Sequence, residues 1–243
     1  GALRNATIQR GAGLLRDDRE LRKLMSWVKS HDSDYVEGNA WHYLWPAPYE
    51  VAGMIELQYG GDLAAFEAAL DLYWTRVRDE EDDVFPDTYY WHGNEPDREI
   101  TPRLVGIHTL AHVLIDQWAL DCGYPTAALR ERLYVSDDMA GLLIYTATSD
   151  SAGSLGGVVA MGGSDVLGAA LRSAMGRTKW CSADPLCLEA GNQGVDALNL
   201  AACHSCVLLP ETCCEEMNLF LDRALLVGTP DEPDIGLFAD LIA

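Results

Sequence analysis

A chain of 243 residues with 49% hydrophobic and 23% charged residues carries enough apolar side chains for one large core or two modest ones, which excludes a chain that stays unfolded. No apolar run approaches the roughly 20 residues needed to span a bilayer, and Gly1-Ala2-Leu3-Arg4 lacks the layout of a secretory signal, so a soluble, cytoplasmic protein without membrane contact is expected. Seventeen Lys and Arg against 38 Asp and Glu give a formal charge of -21, which repels a phosphate backbone and disfavours free-standing nucleic-acid binding. From Cys181 to the end there are eleven acidic residues and one cation, Arg223, so a partner with a basic surface fits better. Because the sequence begins with Gly1 and enters charged, helix-like sequence almost at once, it reads as part of a longer polypeptide.

In chain order, Leu14, Leu15, Leu21, Leu24, Met25 and Val28 recur at the spacing of an amphipathic helix. Residues 31 to 61 are rich in Trp, Tyr and Pro without clean periodicity, and only Val51 to Tyr59 reads as a strand. Asp62 can cap a helix in which Leu63, Phe66, Leu70, Tyr73, Trp74 and Val77 line one face. The run Asp79-Glu80-Glu81-Asp82-Asp83 then predicts a solvated loop, and a domain boundary is placed near residue 100. Beyond Pro102, Leu104 to Leu120 is apolar on most sides, as a buried helix requires, and Gly123 and Pro125 stop it. A short second helix is expected over Ala127 to Tyr134, a buried strand over Gly141 to Ala147, a glycine-rich loop over Ser151 to Gly157, and a helix capped by Ser164 over Asp165 to Arg177. The expected fold class is mixed α/β (α+β), mainly helical, with a small β-sheet. Residues 1–100 form a mostly helical or irregular N-terminal part, and residues 101–243 a domain with a zinc-binding module at its C-terminal end.

Of seven cysteines, six (Cys181, Cys187, Cys203, Cys206, Cys213 and Cys214) fall within 34 residues, with Cys122 apart on an apolar helix. An odd count without an export signal argues against a disulfide framework and for metal binding. Structural zinc needs four donors in a tetrahedron, commonly a Cys-x-x-Cys turn and two ligands from elsewhere. Cys203-His204-Ser205-Cys206 supplies the turn, and Cys187 and Cys214 are taken as the other two ligands, with Asn192 and Gly194 returning the chain. Cys181 competes with Cys187, and Cys213 with Cys214; His204, inside the turn, would point away from a metal held by both flanking cysteines. Four thiolates close the coordination shell, so such a site predicts folding rather than chemistry.

Other candidate chemistry is thin. His108 and His112 stand four residues apart on a helix, the spacing of two imidazoles on one metal, but the acid of His-Glu-x-x-His is absent and core roles fit better. Thr146 to Gly157 follows a strand and could offer backbone N–H groups to an anion, yet no Gly-Lys-Ser or Gly-Lys-Thr makes it a P-loop. No Gly-x-Ser-x-Gly suggests acyl transfer. No catalytic or cofactor-binding residue is assigned.

A set of ordered motifs carries a resemblance. His108-Thr-Leu-Ala-His112, Leu143-Ile-Tyr-Thr-Ala147, Gly153-Ser-Leu-Gly-Gly157, Trp180-Cys-Ser-Ala-Asp-Pro-Leu-Cys187, Asn199-Leu-Ala-Ala-Cys-His-Ser-Cys206, Pro210-Glu-Thr-Cys-Cys-Glu215 and Asn218-Leu-Phe-Leu-Asp-Arg223 together resemble the DrmB family, the helicase-associated component of DISARM anti-phage systems. The C-terminal domain of that family is similar to the four-cysteine zinc-binding domain of MrfA-type repair helicases. The resemblance covers about residues 103 to 228 and implies Cys203, Cys206 and Cys214 as zinc ligands, with Cys181 and Cys187 both matching the fourth place. Cys213 departs from the pattern, where serine is more usual. What it implies is a non-catalytic subunit that binds a helicase, DrmA in DISARM, and reaches DNA through that complex. Two further readings are an acidic mimic of DNA that plugs a partner's cleft, and a metal-dependent enzyme built on the His108/His112 pocket.

Overall fold

The computed structural model describes residues 63–77, 88–89, 98–136, 139–146 and 157–242. The expected helix over Leu14 to Val28, the strand over Val51 to Tyr59, the acidic run Asp79 to Asp83 and nearly all of the glycine-rich loop lie outside them.

Helix α1 (Leu63–Val77) presents Phe66, Leu70 and Tyr73 to the core, as its spacing predicts. Two short strands, β1 (Thr88–Tyr89) and β2 (Arg98–Glu99), pair antiparallel. Helix α2 (Pro102–Cys122) is the centre of the molecule. Thr101 caps it by accepting the Leu104 N–H at 3.2 Å, Pro102 occupies its first turn where no N–H is needed, and Gly123 ends it in the left-handed region at φ 71°. Of its 21 residues, fifteen are buried, including His108, Thr109 and His112, because other elements pack on it from several sides. Those elements are α1, an antiparallel hairpin that follows, and three later helices.

The hairpin pairs β3 (Leu129–Ser136) with β4 (Met139–Thr146) in antiparallel register, Leu129 opposite Thr146 and Leu133 opposite Leu142. The strand at β4 was expected. The helix expected over Ala127 to Tyr134 is replaced by a 3₁₀ turn at Thr126–Ala128 and then by β3. Leu129, Glu131 and Leu133 face inward while Arg130 is exposed, a period of two that serves a strand, whereas a helix would put Glu131 on the side opposite the two leucines. Beyond the hairpin come α3 (Gly157–Met161) and α4 (Ser164–Thr178); Gly163, not Ser164, is the N-cap residue of α4.

From Lys179 to Asp222 regular structure nearly ceases, and the chain runs through turns and 3₁₀ pieces at Val195–Ala197 and Glu211–Cys213. It returns to the core at α5 (Arg223–Val227), which Asp222 caps by accepting the Ala224 N–H at 3.1 Å. The same carboxylate accepts the Tyr73 hydroxyl at 2.8 Å, and the Asp222 N–H donates to the Thr109 hydroxyl at 3.0 Å. One buried residue thereby ties α1, α2 and α5. The result is an α+β fold, mainly helical, with a cysteine cluster in its C-terminal part.

Asp222→Ala removes a helix cap and a partner of the buried Tyr73 hydroxyl. Its expected cost is about 2–3 kcal/mol, read as a lower urea midpoint. An unchanged midpoint would mean that the Asp222 junction does not contribute to stability.

Candidate metal centre

Two hairpin-like turns build the site. In the first, Asp184 accepts the Cys181 N–H at 2.8 Å, the Asp184 N–H returns to the Cys181 carbonyl at 3.0 Å, and the Cys187 N–H reaches the Ala183 carbonyl at 3.1 Å. This folds Cys181 and Cys187 toward the same side. In the second, the Cys206 and Leu208 N–H groups both donate to the Cys203 carbonyl, at 3.0 and 3.3 Å, which makes the Cys-x-x-Cys segment a tight knuckle. The bridge between Gln193 and Asn199 lays one turn against the other, and the Gln193 side chain donates to the Cys187 carbonyl at 3.2 Å.

The turns converge four sulfurs. Cys181 Sγ lies 3.5 Å from Cys203 Sγ, Cys187 Sγ 3.7 Å from Cys206 Sγ, and Cys203 Sγ 3.7 Å from Cys206 Sγ. All four fall within 4.8 Å of one another, and Cys181 and Cys187 are buried. A disulfide would bring two sulfurs to about 2.05 Å. A zinc tetrahedron with bonds of about 2.3 Å spaces its sulfurs about 3.8 Å apart, which these separations match. The donor chemistry fits too. Backbone N–H groups of Ala183, Ser205 and Cys203 point at the sulfurs of Cys181, Cys203 and Cys206 at 3.4, 3.4 and 3.2 Å, stabilising thiolate charge.

Charge around the cage is organised by Arg223. Its guanidinium is fully buried, donates to the Thr178 carbonyl at 3.0 Å, and pairs with Asp184, the residue that shapes the first turn. A hydrogen bond from Cys206 holds the Cys187 thiol down to about 5 against the burial that opposes it, with Cys203, Gln193 and Arg223 helping. Cys206 is pushed up in the same exchange, chiefly by Cys187 and then by burial. A divalent cation held between them would favour both sulfurs as thiolates.

The structure thus brings Cys187, Cys203 and Cys206 together with Cys181, the residue named as an alternate. Cys214 stands elsewhere. The loop that carries it is pinned to the hairpin: Glu215 accepts the Leu133 N–H at 2.6 Å and pairs with Arg132 at 2.7 Å, while Cys213 donates to the Thr126 carbonyl at 3.2 Å. This puts Cys214 Sγ at 3.1 Å from His108 Nε2, within 4.8 Å of donor atoms on His112 and Glu131. His204 is exposed, and Cys122 ends α2 half-buried.

Sequence reasoning missed Glu131. Burial opposes its ionisation, but the imidazoles of His108 and His112 outweigh burial and hold the carboxyl well below the usual carboxylate range. Cys214 is raised by burial and then by the Glu131 charge. The signal that could have found Glu131 is the alternation Leu129-Arg-Glu-Arg-Leu133, which places a carboxylate on an apolar strand face.

Comparison with known proteins points to the same cysteines. Residues 110–207 match the MrfA Zn-binding domain, a span that contains Cys181, Cys187, Cys203 and Cys206 and ends before Cys214. Over 138 residues, 57% of its length, the chain is 42% identical to DISARM protein DrmB of Bacillus paralicheniformis and covers 25% of that protein. Residues 15–101 match the catalytic domain of glycosyl hydrolase family 92, mostly outside the described residues. A stretch of 22 residues is 86% identical to ketol-acid reductoisomerase (NADP(+)) of Kineococcus radiotolerans, 9% of this chain and 6% of that protein, too short to carry a fold. The chain spans about a quarter of the length of the DrmB that it matches. Its four-cysteine cluster lies within the span that is similar to the MrfA Zn-binding domain and suits a structural zinc.

Zinc bound here would contribute folding free energy on the order of 10 kcal/mol, concentrated between residues 179 and 222. Cys181→Ser should therefore lose metal and speed amide exchange in that segment, whereas Cys122→Ser should do neither. Full metal content in Cys181→Ser would remove Cys181 from the cage.

Proposed function

We propose that this chain is a non-catalytic, zinc-stabilised component of a DISARM-type anti-phage assembly, in which it binds a DrmA-like helicase and reaches DNA through that partner. The observation that carries this reading is the 42% identity to a DISARM protein DrmB over 138 residues, beside a match to the MrfA Zn-binding domain whose span contains the four-sulfur cage. In it, Cys181, Cys187, Cys203 and Cys206 hold one zinc, and the expected place of Cys214 among the ligands passes to Cys181. When bound, the zinc supplies a closed tetrahedral cross-link and no open coordination position. Everything else is the work of the chain. Arg223 and Asp184 hold the first turn, the knuckle amides hold the second, and together they present residues 179–222 as a fixed surface.

Two physical facts support a partner rather than a chemical step. The formal charge of -21 keeps the chain off a phosphate backbone unless a basic protein intervenes. His108 and His112, which the enzyme reading needs, are each 0% exposed, so they meet no solvent-borne substrate. The acidic DNA-mimic reading draws on the charge alone.

The test is a paired binding measurement at physiological salt. The purified 243-residue chain should retain a DrmA-like helicase in a pull-down and fail to shift duplex or single-stranded DNA by itself. Tight DNA binding by the isolated chain, or no retention of the helicase, would overturn the proposal. Competition between the chain and DNA for the helicase would favour the mimic.

A further inference from the structure

Four donor groups meet in a second place, on elements unrelated to the cysteine knuckle: His108 and His112 one turn apart on α2, Glu131 on β3, and Cys214 on the pinned loop. The geometry points to a second, structural metal site for a zinc-like divalent ion at His108, His112, Glu131 and Cys214. It goes beyond the proposed function, which uses only the four-cysteine cage.

Proton accounting at His112 carries the inference. His112 Nδ1 lies 2.8 Å from the Val207 carbonyl, which can only accept, so Nδ1 bears the hydrogen and Nε2 is the atom left to take a proton or a metal ion. That nitrogen faces Glu131 Oε1 at 3.5 Å, with both side chains fully buried. Unprotonated, the nitrogen and the carboxylate oxygen are two acceptors aimed at each other away from water, and they repel unless a cation lies between them. Among the described residues His112 Nε2 has no hydrogen-bond partner, and Glu131 Oε2 has none either. A metal-binding histidine commonly donates its other ring N–H to a backbone carbonyl, which is the arrangement at Val207.

The remaining distances agree. His108 Nε2 lies 3.2 Å from Glu131 Oε1 and 3.1 Å from Cys214 Sγ. A tetrahedral ion with bonds of about 2.0–2.3 Å spaces such donors about 3.3–3.6 Å apart, so contraction or expansion by a few tenths of an ångström seats it. The surroundings are organised for anionic donors. The Asn218 N–H points at Cys214 Sγ at 3.0 Å, and the Glu215 N–H donates to Glu131 Oε1 at 3.0 Å. Two imidazoles, a carboxylate and a thiolate form a borderline set that suits zinc and rejects magnesium and calcium. With His108, His112 and Glu131 buried and four protein donors present, the site is closed and structural.

The placement gives it a role in assembly. Val207, whose carbonyl orients His112, follows Cys206 of the first cage directly. The two ions would then fasten consecutive stretches of one irregular segment, the first joining two turns and the second joining the loop to α2 and β3.

Elemental analysis and native mass spectrometry of the 243-residue chain test this. Two zinc ions per chain are expected, falling to one in Cys214→Ser and in Glu131→Gln, and to one in Cys203→Ser by loss of the other ion. Cobalt reconstitution of the wild-type chain gives a second readout that needs no variant: one strong thiolate charge-transfer signature from the cage and a weaker one from a site with a single thiolate. A count of one that disappears in Cys203→Ser, or a count of two unchanged in both Cys214→Ser and Glu131→Gln, would overturn the second site. A count of one that survives Cys203→Ser and disappears in Cys214→Ser would uphold it and overturn the four-cysteine cage instead. No bound metal would overturn both.

Discussion

Four sulfurs held within 4.8 Å of one another govern the C-terminal part of this chain, because almost nothing else there repeats. Between Lys179 and Asp222 there is no α-helix and no strand ladder, so the backbone gains little from regular hydrogen bonding. Ordering such a segment costs roughly 1–2 kcal/mol per residue in backbone entropy. A tetrahedral ion would offset on the order of 10 kcal/mol of that in one step, and only when both turns are already shaped to meet. The turn at Cys181 depends on Asp184, and Asp184 depends on Arg223, a guanidinium with no access to water. The single cation after Cys181 is thus spent inside the fold rather than on a surface that could meet nucleic acid.

Helix α2 is the complementary constraint. It is buried over most of its circumference, yet four of its buried residues are polar, and three of them, Thr109, His112 and His108, answer specific partners outside the neighbouring helices. Thr109 receives the N–H of Asp222, His112 reaches Val207, and His108 meets Cys214 and Glu131. An apolar helix alone would pack against the irregular segment without fixing its register. These polar contacts choose one register, since a buried donor or acceptor left unmatched costs about 1–3 kcal/mol. The same logic ties α1 to the C-terminal part, through Tyr73 and Asp222, across 149 residues of chain.

A surface organised this way fits the recognition role proposed above. Among the described residues, His108, His112 and Glu131 are enclosed, while Trp180 and Leu186, beside the cage, are 71% and 81% exposed. Zinc that closes its own shell fixes shape, and fixed shape lowers the entropy lost when a partner docks.

The sequence by itself determined the helices at Leu63–Val77 and Pro102–Cys122, because their apolar spacing and their Pro and Gly signals are local properties. It determined that cysteines clustered after residue 180 would bind metal, because a Cys-x-x-Cys turn with further thiols close by supplies the four donors that zinc needs. The tertiary structure decided which sulfurs meet. Cys214 sits eight residues beyond Cys206, but the loop between them is drawn away by Glu215 and Cys213 to the hairpin, and Cys181 takes the place beside Cys203. It also decided the meaning of Glu131. As part of an expected helix from Ala127 to Tyr134 it is one charge among several, whereas on a strand of period two it is the carboxylate turned inward to face two histidines. Spacing along a chain records which donors are available; only packing, which sets the distance between residues far apart in sequence, selects those that share an ion.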